Sequence, residues 1–329
     1  MSNKVLLLGV SSLAGEQLLE LLEDHPLAKE VIFELYDTEE EAGRSLMVNG
    51  SALRVRSYAN INLDEAKLAV LCAPEIPAET IAQIAPALTL LDLHARAQTA
   101  AGQLLLSGVA QTQLSLEKGA AFRSPEPALL TTALLLKTLS AAVEPLRVTA
   151  TLMLPASLHD QAGVQALATE TAHLLNGREA AAKLLDSSMA FNLLAQPQPL
   201  EADGSMSVES LFAEGLGELL GAEDLEVNAS AVEVPLFHGT ALTLAIELAK
   251  GAEIAELVRL IDREAKLRYA PSASASTQSA TGIDECLVAR LRFDSRDENV
   301  LLATLLFDEQ RLGRASNAID ALRVLVTAH

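Results

Sequence analysis

The chain has 329 residues, half of them hydrophobic, enough to bury a large core and to build two domains. Its 24 Lys and Arg stand against 44 Asp and Glu, a formal net charge of −20 that repels nucleic acid and anionic membrane surfaces. Cys72 and Cys286 lie far apart and outside any C-x-x-C or Cys/His spacing, so neither a disulfide framework nor a zinc site is suggested, and no metal is expected.

The chain passes from Met1 to Gly9 through a short apolar run with no basic segment before it, and no stretch reaches the ~18 apolar residues of a membrane span. A cytoplasmic, untargeted protein without membrane contact is expected. Residues 4–8 read as a strand, 9–15 as a tight turn of small residues, and 16–23 as a helix with leucines at 18, 19, 21 and 22. Further strands are predicted at 31–36, 68–73, 88–93 and 104–109, the first of them preceded by a helical stretch. Near-continuous apolar strands alternating with helices imply a parallel sheet covered on both faces.

The rhythm changes after Ala128. A long apolar helix runs to about residue 139, and strands follow at 147–154, 226–237, 240–248, 285–293 and 300–307, with a helix over 253–266. Residues 195–207 and 271–282 read as loops. The apolar stripe at 312, 315, 319, 322 and 326 predicts a terminal helix that returns to cover the first sheet. The expected fold class is α/β, an N-terminal Rossmann-like doubly wound parallel sheet plus a central α+β domain with a mostly antiparallel sheet. The boundaries are 1–128 plus 311–329 for the first domain and 129–310 for the second.

In a dinucleotide fold the first turn uses small residues so that backbone N–H groups and a helix N-terminus approach a pyrophosphate. Here it reads Gly9-Val10-Ser11-Ser12-Leu13-Ala14-Gly15, and Gly9, Ser11, Ser12, Leu13 and Gly15 are the candidate contacts. Ser12 takes the middle glycine position and adds a side chain where phosphates come closest. Asp37 stands where an acid would hold a ribose 2′-hydroxyl. With Glu39, Glu40 and Glu41 behind it, NAD is admitted and NADP disfavoured. A Rossmann fold that requires no cofactor is the alternative. Cys72 ends a Rossmann strand but has no adjacent His or Lys to activate it, and Cys286 lies in a predicted strand; both read as small hydrophobes.

Asn176-Gly177 followed by Met189-Ala190-Phe191-Asn192-Leu193-Leu194 resembles the "LLNG … AFNxxP" stretch of aspartate-semialdehyde dehydrogenases, and more closely of their Usg-type paralogues. Similar matches run through Val234-Pro235-Leu236-Phe237, residues 288–294, Arg311-Leu312-Gly313 and Ala315-Ser316-Asn317-Ala318, so the likeness covers essentially the whole chain. It implies a Rossmann domain completed by the C-terminal helix, and a central domain that mediates dimerisation. Family enzymes interconvert aspartyl phosphate and its semialdehyde with NADP(H), through attack by a cysteine thiolate.

Carried over position by position, that chemistry is missing. The family's Asn-Pro-Asn-Cys is Ser124-Pro125-Glu126-Pro127 here, so Pro127 replaces the nucleophile; proline suits the first turn of a helix. The acid/base histidine falls on Thr240, with His238 two residues earlier on the expected strand as the best displaced base. The arginine that clamps the substrate carboxylate falls on Glu233, which turns attraction into repulsion. The glutamine falls within Leu152-Met153-Leu154, with Gln161 in the following helix, and a lysine falls near Leu211.

The resemblance therefore implies a non-catalytic relative. It would act as a homodimer, or as the partner of an active paralogue, in a binding or regulatory role. An active NAD-dependent oxidoreductase acting on an amino-acid semialdehyde or related substrate, through His238, Thr240 or Ser124, is the second reading. A sensor of a cationic or neutral small molecule, compatible with Glu233, is the third.

Overall fold

The computed structural model describes residues 3–94, 99–106, 119–180 and 184–328. It divides into two compact units, Met1–Glu126 with Arg314–His329, and Pro127–Gly313.

The first unit runs β1 (Asn3–Leu8), α1 (Leu13–Glu23), α2 (Leu27–Glu30), β2 (Val31–Asp37), β3 (Ser45–Val48), β4 (Ser51–Ser57), β5 (Ala66–Leu71), α3 (Ala78–Ile84), β6 (Thr89–Asp92), β7 (Gln103–Leu104) and β8 (Ala121–Arg123). The strands form one sheet in the order β3-β4-β2-β1-β5-β6-β8-β7, parallel except for the β3–β4 pair. The chain leaves β1 to one side for β2 and returns to the other for β5, so the strand order reverses there. Ligands of doubly wound sheets bind outside the carboxyl ends at such a reversal. The apolar run of β1 is buried on both faces, as a central parallel strand requires.

The β3–β4 hairpin is absent from the sequence prediction. Its turn is Asn49-Gly50, both at positive φ (50° and 70°), the two-residue geometry that suits the twist of a hairpin. The strand predicted over 104–109 is the short Gln103–Leu104, and residues 107–109 lie outside the described residues.

The second unit runs α4 (Pro127–Ser140), β9 (Pro145–Leu154), α5 (Asp160–Leu175), α6 (Ser207–Leu220), β10 (Glu226–Glu233), β11 (Thr240–Leu248), α7 (Ile254–Ile261), β12 (Leu267–Tyr269), α8 (Thr277–Ala280), β13 (Cys286–Phe293) and β14 (Val300–Phe307). Its sheet, β10-β9-β11-β14-β13-β12, is mixed: three pairs are antiparallel, and the β9–β10 and β12–β13 pairs are parallel. Val148, Ala150 and Leu152 of β9 and Leu242, Leu244 and Ile246 of β11 fill one face. On the other face the register aligns Ser230, Thr151, Thr243, Thr304 and Ala289 across five strands. At one end of that face Ala275, Ala280 and Ile283, from the predicted loop 271–282 and just beyond it, pack on Ala241, Leu287 and Leu306. Farther along, Thr149 and Thr243 are exposed.

The chain returns to the first unit in a π-helical turn, Arg311–Ser316, and α9 (Asn317–Ala328). Ala315, Ala318, Ile319, Leu322 and Leu325 enter the same core cluster as Val5, Leu7 and Val70, so the terminal stripe does cover that sheet. Among the described residues no helix is long and apolar enough to cross a membrane.

Candidate functional site

In the first unit the turn after β1 is built tightly. Gly9 has φ +77°, and a Cβ there would meet Ala73 Cβ at 2.3 Å; one on Gly15 would lie 2.7 Å from the Gly9 carbonyl oxygen and the Val10 Cα. Both positions therefore demand glycine. Ser12 is the N-cap of α1: its hydroxyl accepts from Gly15 N at 3.1 Å and donates to the Gly9 carbonyl at 2.7 Å. The hydroxyl expected to intrude on a phosphate is buried and turned into the turn instead. Leu13 opens α1 directly behind it.

Asp37, buried at the end of β2, accepts from Ser11 N (2.8 Å) and Ser11 Oγ (2.7 Å) through Oδ2 and from Thr38 N (2.8 Å) through Oδ1. The acid and the turn are thus held together, with Glu39 and Glu40 exposed beside them. Arg44, paired with Glu41, stands close enough to feel the Asp37 charge, so these acids have a cation among them. Cys72 is buried at the end of β5, with its backbone N–H bonded to Leu8 O.

Past the carboxyl ends of the other strands lies a set of polar side chains. Arg314, 5% exposed, donates to the Leu93 carbonyl and, at 3.0 Å, to Glu126 Oε2. His94 Nε2 bonds the Cys72 carbonyl at 2.8 Å. Burial first, then the Arg314 charge, hold its imidazole well below the usual range, so it is neutral and Nε2 is the donor. Ser124 Oγ, also buried, accepts from Asn317 Nδ2 at 2.8 Å.

In the second unit Pro127 opens α4, buried, and its Cβ lies 2.4 Å from where a Gly313 Cβ would stand. Glu233, 1% exposed at the end of β10, bonds His159 Nε2 through Oε2 at 2.8 Å, while its Oε1 is buried with no hydrogen-bond partner among the described residues. His159 closes the 3-10 turn Ala156–His159. Gly163 lets α5 pack on that turn, since a Cβ there would lie 1.9 Å from the Ala156 carbonyl oxygen.

Thr240 does not share a regular strand with His238. Gly239 (φ +91°) breaks the chain before β11 begins at Thr240, which corrects the expected geometry. Both residues nevertheless meet Glu309. Its carboxylate accepts from Gly239 N (2.9 Å), Thr240 Oγ1 (3.5 Å) and Ser157 Oγ, and lies 3.6 Å from His238 Nδ1. Burial pushes the Glu309 carboxyl upward, but His238, Ser157 and the backbone N–H groups outweigh it, leaving the group below its ordinary value. The same contact with Glu309 raises His238. Ser157 and His238 thus both meet the same carboxylate oxygen, Glu309 Oε1.

Sequence reasoning missed Ser157, His159 and Glu309. They come from a 3-10 turn and from the residues just after β14, where no motif or periodicity signals them. Of the three apolar residues to which the resemblance assigns the glutamine, Leu152 and Leu154 are buried on the Glu233 face, while Met153 packs with Ala241 and Leu306 on the opposite one. Gln161 lies in α5 as expected. Leu211 lies in α6, where Glu209 bonds Ala231 N and Met206 N. Cys286 is fully buried and its thiol is pushed far up by desolvation. Among the described residues no group of three or more His, Cys, Asp or Glu side chains has a metal-holding arrangement.

The family model for the semialdehyde dehydrogenase dimerisation domain matches residues 136–311. The chain is 28% identical over 324 residues to a USG-1 protein homolog of Pseudomonas aeruginosa, covering 96% of this chain and 95% of that one. It is 24% identical over 341 residues to aspartate-semialdehyde dehydrogenase 2 of Vibrio cholerae, covering 98% and 97%. Among solved structures it is similar to a probable aspartate-semialdehyde dehydrogenase from Pseudomonas aeruginosa, at a TM-score of 0.89, 25% identity and 99% coverage of both chains. The fold also matches aspartate semialdehyde dehydrogenase II from Vibrio cholerae at a TM-score of 0.90 and 22% identity, over 100% of both chains.

Proposed function

Because the chain belongs to the semialdehyde dehydrogenase family, as an aspartate-semialdehyde dehydrogenase-like, Usg-like member, we propose that it keeps the family's scaffold and lacks its chemistry. It acts as a cytoplasmic homodimer in a binding or regulatory role. The observation that carries this reading is Glu233: a carboxylate 1% exposed, hydrogen-bonded to His159, stands at the position to which the resemblance assigns the substrate-clamping arginine. An anionic aspartyl phosphate or semialdehyde carboxylate placed there meets repulsion in a low-dielectric setting. Pro127 supplies no nucleophile, and Thr240 cannot carry a proton near neutral pH.

The adenine nucleotide that suits the first unit lacks a 2′-phosphate, because Asp37 and the glutamates behind it repel one. The homodimer reading is supported by the family model and by the second unit's sheet face, where Thr149 and Thr243 are exposed beside the aligned row of small side chains. The active-oxidoreductase reading gains no such support. Ser124 is bonded by Asn317, and Thr240 and His238 are engaged with the Glu309 carboxylate.

Covalent trapping tests the proposal. The protein is incubated with aspartate semialdehyde, phosphate and NAD or NADP, quenched in acid and weighed intact; the mass is expected to stay that of the free chain. An acyl adduct that disappears on Cys72→Ser or Ser124→Ala would overturn the reading.

A further inference from the structure

A dinucleotide in a doubly wound fold lies across the strand-order reversal, its adenosine half over the β1/β2 side and its other half over the far side. The two sides of this sheet are built differently. On the near side, Gly9 and Gly15 let the turn close on Ala73 and on its own backbone, Ser12 is folded inward, and Asp37 is fixed by Ser11 at the end of β2. That side fits a phosphate and a ribose.

On the far side the carboxyl ends are closed by the protein's own side chains. Glu126 beyond β8 pairs with Arg314, Arg314 bonds the Leu93 carbonyl beyond β6, and His94 bonds the Cys72 carbonyl beyond β5. These links run along the same edge of the sheet, strand after strand. Arg314 is nine-tenths buried, so moving it aside would strip a charge of its partner in a desolvated place. A ring seated over β5 and β6 would have to break that contact.

We propose that the first unit is an adenine-mononucleotide site, in which the Glu126–Arg314–Leu93 and His94–Cys72 links occupy the half where a nicotinamide would lie. ADP, or an adenine nucleotide of that size, is the ligand class, and the nicotinamide end of NAD adds nothing to binding. This rests on reading the Gly9–Gly15 turn as a nucleotide site. It gives the family's hydride chemistry a further reason to be absent, independent of the second unit.

Calorimetric titration of the full chain with ADP, NAD and nicotinamide mononucleotide tests it. NAD is expected to bind within about threefold of ADP and the nicotinamide mononucleotide to give no heat; in Arg314→Ala/Glu126→Asn, ADP stays within about twofold while NAD gains about tenfold. NAD binding about tenfold or more tighter than ADP to the unaltered chain would overturn the proposal, as would binding of nicotinamide mononucleotide alone or no ADP binding at millimolar concentration. The comparison on the unaltered chain decides the matter even where the double variant fails to fold. Failure of the non-catalytic reading would appear instead as a covalent adduct or turnover.

Discussion

Glu309 shows how a single buried carboxylate engages both Thr240 and His238. Its carboxylate is held below the ordinary value by His238, Ser157 and backbone donors that outweigh burial, and it holds His238 above its own. The signs fix a pH window. A raised histidine contributes its stability fully below the unfolded value of ~6.5 and loses it as pH rises through the folded value; a depressed glutamate contributes above ~4.3 and loses it as pH falls through the folded value. The pair is therefore at full strength between about pH 5 and 6. His238→Ala should cost ~0.5 kcal/mol there, a small figure because the imidazole is about one-third exposed, and less at pH 9. Urea denaturation of both proteins at the two pH values measures it. An equal loss at both would remove the ion pair from the account.

At the level of elements, the strands and helices with strong apolar runs were legible in the sequence. β11 and β14 match their predicted limits, and α4 differs by a residue at either end, because continuous apolar segments leave little choice of structure. The β3–β4 hairpin was not read, although Asn49-Gly50 is its direct signal; its strands are half exposed and carry no strong alternation. The predicted strand over 226–237 stops at Glu233, because Pro235 cannot donate to a ladder. The resemblance alone assigns Pro127, Thr240 and Glu233 to the family's site positions, whereas Ser157, His159 and Glu309 become visible only once the 3-10 turn and the end of β14 are in place.

The β1–α1 turn carries a test at this scale. Gly15→Ala forces a Cβ to 2.7 Å from the Gly9 carbonyl oxygen and the Val10 Cα, both backbone atoms that cannot swing away. A loss of about 1–3 kcal/mol in denaturant unfolding is expected. A neutral effect would mean that the turn is looser than described.

At the scale of the whole molecule, the second unit carries a sheet with one face filled by helices and the other lined by Thr149, Thr151, Thr243 and Thr304, Ala245 and Leu302. Flat, small side chains suit the close approach of a second sheet, in keeping with the dimerisation-domain family to which residues 136–311 belong. Thr243→Arg puts a long charged side chain at the centre of that face. Sedimentation at micromolar concentration should then report a monomer, and an unaltered dimer would place the interface elsewhere. The central claim, a semialdehyde dehydrogenase scaffold without its chemistry, meets its most direct test in steady-state turnover. Phosphate-dependent oxidation of aspartate semialdehyde is followed by reduced-cofactor absorbance with NAD and then NADP; the account predicts a rate equal to that without protein. A saturable rate abolished by substituting His238, Thr240 or another named residue would contradict it.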